Sequence, residues 1–182
     1  MLFDGKLVRE ENLKKLKKQF SKIHVGLAVV QVGDDFASNK YISQKEKLAN
    51  ELGVEFKLIK LEKSTTKKLC SVIDELNEDK NIHGIIVQLP IPKHLDVNMI
   101  QNAILPDKDI DGLTEINNGK LMLGNDGIYS CTPSGVMYLL KQYNIDVTGI
   151  NAVVVGRSNL VGKPISMMLI NAGATVTLCN SK

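Results

Sequence analysis

Tyr41 and Lys45 lie four residues apart within SNKYISQKEK. On a helix that spacing places both side chains on one face. A tyrosine hydroxyl beside an ammonium can assist proton transfer, and burial or a cationic neighbour brings a lysine pKa down into a useful range. In a lysine-rich chain the same pattern also describes an ordinary wet helical face. Gln88 is a neutral polar residue late in an apolar run, GIIVQLPIP. Ligand crevices in α/β folds lie beyond the carboxyl ends of strands, so Gln88 is placed either to meet a ligand or to cap loop backbone. Asp109 and Asp111 bracket Ile110, and the Asp111-Gly112 pair also reads as turn chemistry.

A second constellation is Gly156, Arg157, Ser158 and Gly162, between the apolar run NAVVV and a helical pattern. A strand–turn–helix of this kind favours phosphates, because amide N–H groups and the helix dipole attract anions. The spacing departs from G-x-G-x-x-G: serine replaces the middle glycine and the loop is one residue longer. A dinucleotide turn and a ligand-free tight turn are evenly matched on these residues alone. The next apolar run, ATVTLCNSK, ends without the acidic residue that binds ribose hydroxyls in NAD proteins. With Arg157 in the turn and Ser181 and Lys182 after the run, the pattern favours NADP over NAD, unless Arg157 is only a surface cation.

Alternating elements must position these residues. Residues 24–33 form a continuous β-branched run, a buried strand. A helix follows over 36–52, ended by Gly53, then a strand over 54–61. Ser64 or Thr65 can cap a helix running to Asn77. A strand over 83–92 is stopped by Pro90 and Pro92, and Asp96 can cap a short helix. Residues 105–127, rich in Asp, Asn and Gly, read as loop. Beyond them Thr132 and Pro133 can start a helix, followed by the strand at 151–156, the glycine turn, a helix from Pro164 and a last strand. The expected fold class is α/β: an N-terminal three-layer-type α/β domain over 1–129, then the first part of a Rossmann-type NADP domain over 130–182.

Composition narrows the classes further. Of the 182 residues 43% are hydrophobic and 24% charged, a globular balance. A net charge of +3 and the absence of Trp give little support to nucleic-acid binding. The lysines of NLKKLKKQF interleave with Leu13, Leu16 and Phe20 at helical spacing and belong to an amphipathic helix. No run is long enough to span a membrane, and no secretory leader is legible, so a cytoplasmic location is expected. Cys70, Cys131 and Cys179 match no zinc spacing, and His24, His83 and His94 show no ligand pattern, so no metal is expected.

Five ordered segments carry a resemblance: SNKYISQKEK (38–47), GIIVQLPIP (84–92), PDKDIDGL (106–113), CTPSG (131–135) and VVVGRSNLVGKP (153–164). In this order the chain resembles the bifunctional methylenetetrahydrofolate dehydrogenase/methenyltetrahydrofolate cyclohydrolase family. The resemblance implies a folate-binding domain and an NADP-binding Rossmann domain flanking a cleft, in a homodimer. It implies that Lys45 is the main catalytic residue, that Tyr41 lines the folate pocket and that Gln88 positions Lys45 and substrate. Asp111 would grip the amino end of the pterin, with Val87 and Leu89 lining the pocket. Gly156, Arg157, Ser158, Gly162 and Ser181 would hold NADP. Asn180 stands where the family usually has histidine. The resemblance also implies more Rossmann sheet, a glycine- and proline-rich segment and a C-terminal helix beyond Lys182, so the chain reads as a truncated member. A non-catalytic fragment and another NAD(P) dehydrogenase, such as one acting on amino acids, are the competing readings.

Overall fold

The computed structural model describes residues 3–181, so Lys182 lies outside it. The chain divides into two compact units, Glu10–Asp109 and Met1–Arg9 with Ile110–Lys182.

The first unit comprises most of α1 (Gly5–Phe20), then β1 (Gly26–Val32), α2 (Phe36–Leu52), β2 (Glu55–Leu61), α3 (Thr66–Glu78), β3 (Gly84–Val87) and α4 (Val97–Asn102). The strands form one parallel sheet in the order β2-β1-β3, with Val30 opposite both Ile59 and Val87. The central strand is covered on both faces, which is why its sequence is apolar throughout rather than alternating. On one face Ala28, Val30 and Val32 pack with Ile85 and Val87, against Leu69, Ile73 and Leu76 of α3 and Ile100 of α4. On the other, Leu27 and Phe56 meet Ala49 and Leu52 of α2 and Leu13, Leu16 and Phe20 of α1. This is the expected three-layer arrangement. The apolar stripe of α1 is buried against α2, so its lysines fall on the opposite, wet face.

Capping follows the sequence signals closely. Asp35, Thr65 and Asp96 each accept a hydrogen bond from the amide three residues on, and Gly53 ends α2 in the left-handed region at φ 74°. The third strand is shorter than the 83–92 expected: it ends at Val87, ahead of both prolines, and Gln88 is the first residue beyond it. Lys108 closes the C-terminus of α3, its Nζ donating to the carbonyls of Leu76, Asn77 and Asp79 at 3.1, 2.7 and 2.8 Å. A cation there satisfies orphan carbonyls and opposes the helix dipole. The Lys108 carbonyl also accepts from Ile85 N at 2.8 Å, extending the sheet edge by one bridge, Ile85 to Asp109. Replacing Lys108 by methionine is expected to destabilise this unit by about 1.5–3 kcal/mol, the scale of hydrogen bonds to a charged group. A fall in the urea midpoint with an unchanged slope would show it.

The second unit contains α5 (Glu115–Leu123), α6 (Cys131–Gln142), β4 (Asn151–Val155), α7 (Gly162–Asn171) and β5 (Thr175–Cys179). Strands β4 and β5 are parallel, with Val153 opposite Thr177. Ile165 and Leu169 of α7 pack with Ala152, Val154 and Val176 and with Met137 and Leu140 of α6. The alternate residues Val153 and Val155 are 66% and 85% exposed, so one sheet face in this unit is covered and the other is open.

Two expectations need correction here. The 105–127 segment is not all loop, since α5 occupies its middle. Thr114 caps α5 by accepting from Asn117 N, and Gly124 ends it at φ 70°. Only Leu121 among its apolar residues is buried, so no apolar stripe announced the helix. Helix α6 begins at Cys131 with Ser130 in the capping position, rather than at Thr132, and Pro133 is its third residue. The Ser130 hydroxyl points elsewhere, donating to Leu160 O at 2.6 Å.

Candidate functional site

In the first unit the site is built where α2 crosses the carboxyl end of the sheet. Strand β3 delivers Gln88, whose amide N–H donates to Val30 O at 2.9 Å and continues the pairing one residue past the strand. Its side chain is 9% exposed. Lys45, half-buried on α2, donates from Nζ to Gln88 Oε1 at 3.0 Å. Gln88 Nε2 donates to Leu89 O at 2.7 Å, which fixes the direction of the amide and turns Oε1 to the ammonium. Val87 is buried and Leu89 half-buried on either side. Tyr41, one turn before Lys45 on α2, is 61% exposed.

A residue overlooked in the sequence joins them. Ser38 is buried, and its hydroxyl lies 3.5 Å from Leu89 O, the same carbonyl that holds Gln88. Its amide donates to Asp35 Oδ1 at 2.7 Å. The cap at Asp35 was the available signal, because it sets which residues of the first turn face the sheet.

That cap has a pH signature. The amide of Ser38, then its hydroxyl, hold the Asp35 carboxyl below its ordinary value. A carboxylate with a depressed folded-state pKa stabilises the fold above the unfolded value and loses that contribution as pH falls through the folded one. Acidification below about pH 4 is therefore expected to fray the first turn of α2. Hydrogen exchange at the Ser38 amide, corrected for intrinsic pH dependence, should lose protection there ahead of the amides of β1.

Asp111 belongs to the other unit and is half-buried in the segment leading to α5. The glycine after it, Gly112, has φ 63°, and a Cβ there would come within 2.7 Å of Ile128 O. Turn chemistry at Asp-Gly is thus real, and it fixes the backbone that carries Asp111. Asp109, its partner in the motif, is 1% exposed and holds the sheet-edge bridge.

The second constellation sits between β4 and α7. Gly156 has φ 123°, and a Cβ on Gly162 would lie 1.9 Å from Gly156 O. Strand end and helix start therefore approach more closely than any other residue type permits at 162. Ser158 organises the turn: its Oγ accepts from Val161 N at 3.1 Å and Gly162 N at 3.3 Å, and its carbonyl accepts from Lys163 N at 3.0 Å. Pro164 has no N–H to offer. The amides of Val161, Gly162 and Lys163 are thus engaged internally. Arg157, Ser158 and Ser181 are all exposed.

Fold and sites together define a two-unit α/β protein, with a lysine–glutamine pair at one sheet end and a dinucleotide-type glycine turn in the other unit. Residues 3–111 match the catalytic domain of the tetrahydrofolate dehydrogenase/cyclohydrolase family, and residues 130–182 match its NAD(P)-binding domain. The chain belongs to that family. It is 49% identical to the bifunctional protein FolD of Campylobacter concisus and 44% identical to that of Bacillus subtilis, in each case over the whole of this chain and 66% of the relative. The chain thus spans just under two thirds of the length of these relatives. Its structure is similar to the crystal structure of the FolD methylenetetrahydrofolate dehydrogenase/cyclohydrolase of Campylobacter jejuni, with TM-score 0.97 and 44% identity over 100% of this chain and 67% of that one. It is also similar to the Trypanosoma brucei enzyme complexed with NADP cofactor and inhibitor, with TM-score 0.93 and 32% identity over 100% of this chain and 64% of that one.

Among the described residues, no helix is long and apolar enough to cross a membrane.

Proposed function

We propose that this chain carries the two activities of its family: NADP-dependent oxidation of methylenetetrahydrofolate to methenyltetrahydrofolate, and hydrolysis of the methenyl compound to 10-formyltetrahydrofolate. The observation that carries the proposal is the 3.0 Å bond from Lys45 Nζ to Gln88 Oε1, at the carboxyl end of a parallel sheet. In this reading residues 1–129 bind the folate and residues 130–182 bind NADP.

The hydrolytic step bonds the oxygen of water to the one-carbon bridge and breaks the bridge's bond to N5; of the two protons of that water, one passes to N5 and the other is released to solvent. Lys45 moves the proton at Nζ, Gln88 Oε1 holds Nζ in place, and Tyr41 offers its hydroxyl beside them. Asp111 grips the amino end of the pterin, and Val87 and Leu89 line its apolar side. The glycine turn fits a dinucleotide, since the Cβ that Gly162 lacks would collide with Gly156 and open the turn. Arg157, Ser158 and Ser181 would hold the phosphorylated ribose, with Gly156 and Gly162 shaping the turn. NADP supplies the acceptor for the hydride, and the protein's part in that step is alignment. A homodimer in the cytoplasm completes the reading, supported by the resemblance to the family.

Equilibrium titration of the chain with a tetrahydrofolate ligand, and separately with NADP and NAD, tests it. Saturable folate binding and a preference for NADP over NAD are expected. A chain that binds neither folate nor nucleotide would overturn the proposal.

A further inference from the structure

The proposed chemistry needs Nζ of Lys45 held against Gln88, so whatever sets the position of α2 over the strand ends also sets the reacting amine. Three apolar residues of α2, Ile42, Ala49 and Leu52, are buried and hold the helix by apolar contacts. Such contacts are non-directional and tolerate small slides and rotations. Directional bonds single out one position.

A chain of such bonds is present, and the site described above does not use it. Gln31, near the end of β1, is only 2% exposed although the rest of the strand is apolar or glycine. A buried amide is costly unless bonded. Its Nε2 donates to Asn39 Oδ1 at 2.7 Å, on α2. Asn39 Nδ2 donates onward to Asp34 Oδ1 at 2.9 Å. Lys60, from β2, donates to the same oxygen at 2.6 Å. The Lys60 hydrogen bond, then that of Asn39, keep the Asp34 carboxyl below its ordinary value, so the acceptor is charged at neutral pH. The side chain of Asn39 therefore ties α2 to β1 directly and to β2 through Asp34 and Lys60. Its amide cannot turn over without setting donor against donor at Gln31 and acceptor against acceptor at Asp34.

We propose that Asn39 is a positioning residue for Lys45, acting through the Gln31–Asn39–Asp34–Lys60 chain to lock α2 in the position that brings Nζ to Gln88. The proposal rests on the reading that Lys45 carries the hydrolytic step.

Hydrolysis kinetics and the acylation rate of Lys45 by an amine-reactive ester, followed by mass spectrometry, are measured on the complete chain. Asn39→Ala is expected to lower kcat about 10- to 100-fold, the cost of a small misplacement, with KM within about threefold of its original value. Lys45 acylation should quicken as Nζ leaves Gln88. Asn39→Asp should lose activity similarly, because it faces Asp34 with a second carboxylate. Adding Asp34→Asn to Asn39→Asp restores a donor–acceptor pair and should recover most of kcat and slow Lys45 acylation again. If Asn39→Ala fails to fold, Gln31→Met, similar in volume and lacking only the polar bonds, carries the same expectations. A folded Asn39→Ala with unchanged kcat and unchanged Lys45 acylation would overturn the proposal, as would a double variant no better than Asn39→Asp. Lys45→Met, run beside them, separates the two readings: if it hydrolyses as fast as the parent chain, the assignment of Lys45 fails, while the acylation rates still report the position of α2.

Discussion

Replacing Lys45 by methionine is expected to abolish hydrolysis of methenyltetrahydrofolate while leaving folate binding measurable. The two side chains are similar in length and both suit a helix, so α2 keeps its packing. What disappears is the ammonium that donates to Gln88 at 3.0 Å, and with it the group assigned to move the proton. Loss of a positioned acid–base group costs about 10²–10⁴-fold in rate. In the proposed reading binding draws on other groups, among them Asp111 and the apolar Val87 and Leu89, and should weaken far less. The measurement is the loss of methenyl absorbance under saturating substrate, paired with a binding titration on the same preparation. A variant that hydrolyses at the parental rate would remove Lys45 from its assigned role.

The second large effect is expected at Gly162. A methyl group there would lie 1.9 Å from the carbonyl oxygen of Gly156, in a turn that Ser158 already holds with three hydrogen bonds. Backbone must move to admit it, and overpacking of this kind costs about 1–3 kcal/mol. Gly162→Ala should therefore spread the β4–α7 turn and displace Arg157 and Ser158 together. A loss of about 1.4 kcal/mol in binding corresponds to tenfold in affinity, so NADP binding should weaken by at least about that factor. Folate binding is assigned to other residues and should change little. The paired titrations read both effects. Equal NADP affinity in the variant and the parent chain would show that the close approach does not shape the nucleotide site.

The sequence carried the sheet of the first unit well, because physical constraints wrote it there. A central parallel strand is covered on both faces, so GLAVVQV shows apolar character without alternation. The caps at Thr65 and Asp96 and the stop at Gly53 were legible because each needs a particular residue type. Helix α5 was not legible, since it buries one apolar side chain and carries Asn117, Asn118 and Gly119 in its middle. The start of α6 was misplaced by two residues because the Thr132-Pro133 signal outweighed Ser130, whose hydroxyl bonds to Leu160 instead of capping.

For the site, sequence spacing placed Tyr41 and Lys45 on one helix but could not say that Lys45 meets Gln88, forty-three residues away. That contact follows from the β2-β1-β3 order, which brings the end of β3 beside α2, and strand order has no local signature. The internal capping by Ser158 was hidden for a related reason. A serine in a glycine-rich turn serves equally as ligand or as cap, and only the traced backbone decides. Asn39 was invisible as well, being one polar residue among several in SNKYISQKEK until its two bonds are seen.

The central claim is tested most directly by adding methylenetetrahydrofolate and NADP to this chain, with its mass verified, and following the absorbance of the reduced nicotinamide. The account predicts a saturable, folate-dependent rise that is stronger with NADP than with NAD. No reduction of the cofactor, in a preparation that also fails to bind folate, would contradict it.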